Sequence, residues 1–192
     1  MNYELNVVPL QAETGKNMEV IIHDTALKEA ASKGTDEFLT LVHDKILEAV
    51  GGEVNAETLL QLNGEQTTLL AYFILREEVM DGGFIQLIHN GYGPFIFLNP
   101  FAKVMRIWGV HDLCKLIHKG RKLFVKYKDK LCADCTDEEF MALFEQYPEF
   151  DDLDDKFIEM EEELTDIIAH YVDDNLENFL TINSIDGKDT NS

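Results

Sequence analysis

From Asp24 onward the apolar residues of this chain recur at steps of three and four, the spacing of one face of an α-helix. Leu27, Ala30 and Ala31 predict a first helix that ends near Gly34. Thr35 opens a stronger one carrying Phe38, Leu41, Val42, Ile46, Leu47 and Val50, and Gly51-Gly52 stops it. Asn55 has the chemistry of an N-cap for a short helix through Leu59, Leu60 and Leu62. After Gly64, the residues Leu69, Leu70, Phe73, Ile74 and Leu75 give a long helix with a broad apolar face, interrupted at Gly82-Gly83. Phe84, Ile85, Leu87 and Ile88 add a turn or two before the turn residues Asn90-Gly91-Tyr92-Gly93-Pro94. Asn99-Pro100, cap and first helical residue, opens a segment running through Val104, Ile107, Trp108, Val110, Leu113, Leu116 and Ile117, with a break expected at Gly120 before Leu123, Phe124 and Tyr127. Thr136 and Glu139 form a capping box for a helix over Phe140, Leu143 and Phe144 that must end before Pro148. Residues 149–155 read as an acidic loop pinned by Phe150 and Leu153, and the last helix is expected from about Lys156 to Leu180.

This pattern predicts an all-α, single-domain, irregular helical bundle. Its bounds are an N-terminal extension over 1–23, a helical domain over 24–180 and a flexible tail over 181–192. Loose alternation at Tyr3, Leu5 and Val7, followed by the β-branched run Met18 to Ile22, leaves room for a minor hairpin around Thr14-Gly15. With 192 residues and 45% hydrophobic content, the chain can bury a substantial core. The N-terminus lacks a basic region followed by an apolar run, no stretch is long enough to span a bilayer, and three cysteines make no disulfide framework. A cytoplasmic location is the expectation.

Charge then divides the chain. Residues 134–178 hold 18 Asp/Glu against the single base Lys156, a net of −17 out of −21. Just before them, residues 103–133 carry Lys103, Arg106, Lys115, Lys119, Arg121, Lys122, Lys126, Lys128 and Lys130 against only Asp112 and Asp129, a net of +7. A balance this acidic repels nucleic acid and anionic membrane and favours basic partners. In helical projection Phe157, Met160, Leu164, Ile167, Ile168 and Tyr171 share one face, while Glu159, Glu162, Asp166, Asp173 and Glu177 line the other. Neighbours in such a stripe stand roughly 5 to 6 Å apart, a spacing comparable to phosphates along a DNA strand. A polar outer face is the ordinary property of any amphipathic helix, but mixed signs would stabilise it, and like charges four apart cost a few tenths of a kcal/mol per pair. Internal pairing with the basic segment would still leave about ten acids unmatched.

Sites for chemistry are weaker. Cys132-x-x-Cys135 could join His111, Cys114 and His118 at a zinc ion, yet Cys114 lies among Leu113, Leu116 and Ile117 and reads as core. Asp134, Asp137 and Glu138 oppose a thiolate there. The acidic loop lacks the glycine and terminal glutamate of a calcium-binding EF-hand. The acids Glu77, Glu78 and Asp81 with His89 are the remaining candidates for metal-dependent chemistry. No nucleophile elbow, phosphate loop or zinc-protease motif occurs. The expectation is therefore no catalytic set, no metal and no cofactor.

The run from Glu77 to Gly91, with Glu78-Val79-Met80-Asp81-Gly82-Gly83-Phe84-Ile85-Gln86 at its centre and Asn90 following, resembles the signature of an all-helical bacterial DNA-mimic protein family long treated as a domain of unknown function. Glu65-Gln66, Leu69-Leu70, Trp108-Gly109 and the acidic stretch from Phe150 to Phe157 are similar as well, so the resemblance covers roughly residues 55–180. The first 50 residues and the Cys132-x-x-Cys135 pair fall outside it. The motif reads as architecture: Gly82 and Gly83 let the backbone pass from one helix to the next, Phe84 anchors the corner, and Gln86 and Asn90 satisfy exposed backbone groups. The resemblance implies a helical, dimeric protein whose acidic surface occupies the DNA site of a transcription regulator.

The leading expectation is thus a non-enzymatic protein using Asp151, Asp152, Asp154, Asp155, Glu159, Glu162, Asp166, Asp173 and Glu177 to bind a basic DNA-binding protein. A helical scaffold that buries Tyr92 to Phe101 in a homo-oligomer is the alternative, and a metal-dependent enzyme is the third.

Overall fold

In the computed structural model, which describes residues 18–183, the periodic segments become nine helices and two three-residue strands. The order is β1 (Ile21–His23), α1 (Asp24–Lys33), α2 (Thr35–Ala49), α3 (Ala56–Leu59), α4 (Gly64–His89), α5 (Gly93–Phe97), α6 (Phe101–Ile107), α7 (His111–Leu131), α8 (Asp137–Gln146), α9 (Asp151–Asp174) and β2 (Thr181–Asn183). The fold is all-α with a minor strand pair. No helix among the described residues is long and apolar enough to cross a membrane.

Local chemistry explains most boundaries. Asn55, Asn63 and Thr136 each close a reciprocal capping box at the starts of α3, α4 and α8, and each such cap is worth about 1 kcal/mol. Asn99 Oδ1 accepts the Phe101 backbone N–H at 3.0 Å. Gly51 and Gly52, at φ 90° and 84°, end α2 in the left-handed region.

Helix α4 runs through the middle of the core and α9 lies antiparallel along it. Gln66 Nε2 donates to the Phe179 carbonyl at 2.9 Å, the Tyr72 and Thr165 hydroxyls meet at 2.8 Å, and Arg76 Nε pairs with Glu161 at 2.5 Å. Trp108 stacks on Tyr171 with centroids 4.8 Å apart and donates its indole N–H to Glu65 at 2.8 Å. Burial pushes the Glu65 carboxyl above its ordinary value, and the indole and Tyr171 hydroxyl draw it back down.

Several expectations need correction. The break after Asn99 falls at Trp108-Gly109-Val110, where Gly109 has φ 89°. Gly120 sits unbroken inside α7 because the Phe97 ring lies against it, 2.7 Å from where a Cβ would stand. The supposed acidic loop is a 3-10 turn (Pro148–Phe150) followed by the first turn of α9. Helix α9 stops at Asp174, since the chain turns through Leu176–Asn178 to bury Phe179 edge-on against Trp108 at 5.8 Å. Residues 181–183 then pair in parallel with β1, Ile22 opposite Ile182, so the tail expected to fray begins as a strand. The hairpin around Thr14-Gly15 lies outside the described residues. Segment Tyr92 to Phe101, read as a possible oligomer surface, is mostly inside this molecule: Phe95, Ile96, Phe97 and Phe101 are all buried.

Candidate functional site

The outer side of α9 is built from carboxylates on a helix whose inner side is locked by Leu153, Phe157, Leu164, Ile168 and Val172, all buried. Asp151, Asp152 and Asp154 occupy its first turn. The partial positive charge of a helix N-terminus offsets acids there, which is why an Asp-rich run that resembles a loop in sequence folds as helix. Asp151, Asp152, Asp155, Glu159, Glu162, Asp166 and Asp173 are exposed. From Glu159 to Asp173 the row measures roughly 21 Å at 1.5 Å per residue, with exposed His170 in its gap. Glu177 is exposed but lies in the 3-10 turn beyond the helix, so it does not extend the row as the projection required.

Asp154 behaves differently from its neighbours. It turns inward and accepts the backbone N–H of Phe84 at 2.8 Å. Burial pushes its carboxyl up to about 6; the Phe84 N–H opposes this, and Asp151 and Asp155 add to it. The donor of that bond belongs to the corner of α4, where Gly82 and Gly83 leave helical geometry and Gly83 takes φ 75°. Phe84 restarts the helix, and its free N–H is the group that Asp154 satisfies from 70 residues away. A Cβ on Gly83 would stand 2.5 Å from Asp154 Oδ2, so this glycine serves both the turn and the close approach. The Phe84 ring is fully buried and meets Phe157 edge-on at 6.4 Å.

Gln86 and Asn90 do not serve backbone groups as expected. The Gln86 amide donates to Glu78 at 3.2 Å and Asp81 at 2.8 Å, and the Asn90 amide donates to Glu78 at 2.8 Å. These bonds fasten the two halves of α4 across the corner. They also occupy Glu78 and Asp81, while His89 turns its Nδ1 to the Leu131 carbonyl at 2.9 Å and packs on Phe140. The acids and histidine singled out for metal chemistry therefore do not converge. Cys114 is buried, and Cys132 places its thiol 3.7 Å from the Ile88 carbonyl. Burial and Asp129 push that thiol up, away from a reactive thiolate. Among the described residues no three His, Cys, Asp or Glu side chains are grouped to hold a metal ion.

Helix α2 contributes a second acidic bank that the charge count of residues 134–178 overlooked. Asp36, Glu37, Asp44 and Glu48 are exposed on it. It packs against α9, and the Thr35 hydroxyl donates to Asp166. Heptad-like spacing along α2 showed its apolar face; only the fold brings its outer face beside that of α9.

The basic helix does not neutralise this surface. Lys115 pairs with Asp112 of its own helix at 2.6 Å, and Lys126 reaches Glu149 at 3.6 Å. Among the described residues no ion pair joins α7 to α9, although the two helices pack together through apolar side chains such as Leu153 against Gly120. Among the described residues the Lys126–Glu149 pair is the ion pair that joins the two charged segments, and it leaves the α9 row untouched. On α9 itself, Glu161 is the carboxylate held in an ion pair, through Arg76.

The family model for DMP19-like protein matches residues 60–175, which takes in the α4 corner, Trp108 and all of α9. The DNA mimic protein DMP19 of Neisseria meningitidis serogroup B (strain ATCC BAA-335 / MC58) is 34% identical over 128 residues, covering 66% of this chain and 77% of that protein. With the corner, its Asp154 cap and the α9 row all inside the matched span, and the α2 bank outside it, the chain belongs to the DMP19-like protein family.

Proposed function

We propose that this protein is a DNA mimic that binds a basic DNA-binding protein, a transcription regulator, and occludes its DNA site. The observation that carries this reading is the exposed carboxylate surface of α9 and α2, unpaired with the chain's own basic helix. The relative's name supports it. Asp151, Asp152, Asp155, Glu159, Glu162, Asp166 and Asp173 stand in for phosphates. Glu177 contributes at the margin, and Asp154 supports the face from within. Because the proposed action is steric and electrostatic, the reading is of a cytoplasmic, non-enzymatic protein, acting as the homodimer that the family resemblance implies.

The test is displacement. DNA-binding proteins captured from host lysate on the immobilised chain are purified and bound to their own DNA, and the chain is added. Wild type is expected to release the DNA, less so as salt rises, because exposed charges are screened over roughly 8 Å at physiological ionic strength. The combined variant Glu159→Gln, Glu162→Gln, Asp166→Asn, Asp173→Asn is expected to lose at least about tenfold in potency. Release of DNA with equal potency by that variant would remove the α9 row from the mechanism.

A further inference from the structure

Between α2, α4 and α9 lies a groove of about 370 Å³, lined among others by His43, Asp44, Phe73, Arg76, Glu77, Met80 and Glu161. Its aromatic part is a stacked pair, the His43 and Phe73 rings at 3.9 Å and 14°, both nearly buried. His43 Nδ1 meets Asp44 Oδ1 at 2.9 Å. In the neutral ring that bond places the proton on Nδ1 and leaves Nε2 as an acceptor. Nε2 has no hydrogen-bond partner among the described residues.

Met80 lines the groove and opens onto solvent at 48% exposure. Arg76 is already spent, bonded to Asp36 at 2.6 Å and Glu161 at 2.5 Å. Against that one guanidinium stand Asp36, Glu161, Asp44 and Glu77. Glu77 is exposed with no ion pair among the described residues, and Asp44 faces only His43. The groove thus combines excess negative charge, a free ring acceptor, a flat aromatic pair and an exposed thioether.

We infer that this groove receives an arginine side chain of the basic partner, making it the anchoring point within the acidic face. A guanidinium is planar, presents donors in a fork and stacks on aromatic rings; an ammonium is a compact, strongly hydrated point charge that gains little from the rings. Glu77 and Asp44 would take the fork, His43 Nε2 a further N–H, and Met80 the aliphatic stem. The inference rests on the reading of the acidic face as a partner surface, and adds which residue type that partner must present.

Fluorescein-labelled nona-arginine and nona-lysine peptides test it by anisotropy at low salt, against wild type, the groove variant Asp44→Asn with Glu77→Gln, and the row variant Glu159→Gln with Glu162→Gln and Asp173→Asn. Wild type is expected to prefer the arginine peptide by about tenfold. The groove variant should lose most of that preference, and the row variant should weaken both peptides while keeping their ratio. A preference that survives in the groove variant overturns the arginine site and leaves the acidic face standing. Equal binding of the two peptides by wild type overturns the arginine site, and failure of both peptides to bind wild type overturns the acidic face as well.

Discussion

Asp154 is held between a donor that wants it charged and a burial that wants it neutral. Its folded pKa of about 6 lies above the ordinary 3.8, so between those values the native state holds a proton that the unfolded chain releases. The native state is therefore penalised as pH rises through that window: the penalty is absent below the unfolded value and complete above the folded one. Asp154→Asn keeps an oxygen for the Phe84 N–H without the charge. It should melt above wild type near pH 7 and show no advantage near pH 4. An equal difference at both pH values would show that Asp154 titrates normally. At the same corner, Gly83→Ala must place a Cβ at φ 75° and 2.5 Å from the Asp154 carboxylate. A cost of about 2 to 3 kcal/mol is expected, lowering the melting temperature by several degrees. A melting point within a degree of wild type would mean that the corner relaxes freely. The glycines were legible in sequence as a helix interruption, and Phe84 as its anchor. The residue that caps the restart was not, because nothing local distinguishes Asp154 from its exposed neighbours.

At the level of elements, helix starts were the most readable feature. Asn55 and Thr136 announced their helices by side chains that satisfy backbone donors nearby, and Gly34 and Gly51-Gly52 announced ends. Elements bounded by distant packing were not. Gly109 and Gly120 are alike in sequence, yet the left-handed turn falls at Gly109 while Gly120 admits the Phe97 ring. The end of α9 is likewise set by Phe179, which has no capping signal and is drawn out of helical register by the Trp108 and Tyr171 stack. Phe179→Ala should cost about 3 to 5 kcal/mol. Trp108 is the chain's single tryptophan, so its emission should also shift to the red as solvent reaches the indole. An unchanged spectrum with unchanged melting would show that α9 ends for another reason.

For the molecule as a whole, a net charge of −21 makes salt act in two directions. Screening relieves repulsion among the acids of α2 and α9 and should raise the melting temperature, while the same screening weakens capture of a basic partner. Neutralising Lys119, Arg121 and Lys122 should leave stability within about 1 kcal/mol of wild type, since these exposed side chains hold no ion pair among the described residues. A marked drop in melting temperature would reveal that Lys119, Arg121 and Lys122 are held by the acidic segment as Lys126 is by Glu149. Most of the acidic row could be read from one projected helix, whereas the separation of the poles and the bank on α2 are properties of packing. The bond from Phe84 to Asp154 also sets an order of events during synthesis. Residue 84 leaves the ribosome well before residue 154, so the second half of α4 waits with an open N-terminus until α9 has been made and docked. The nascent chain is thus expected to complete its helical corner only once α9 has docked.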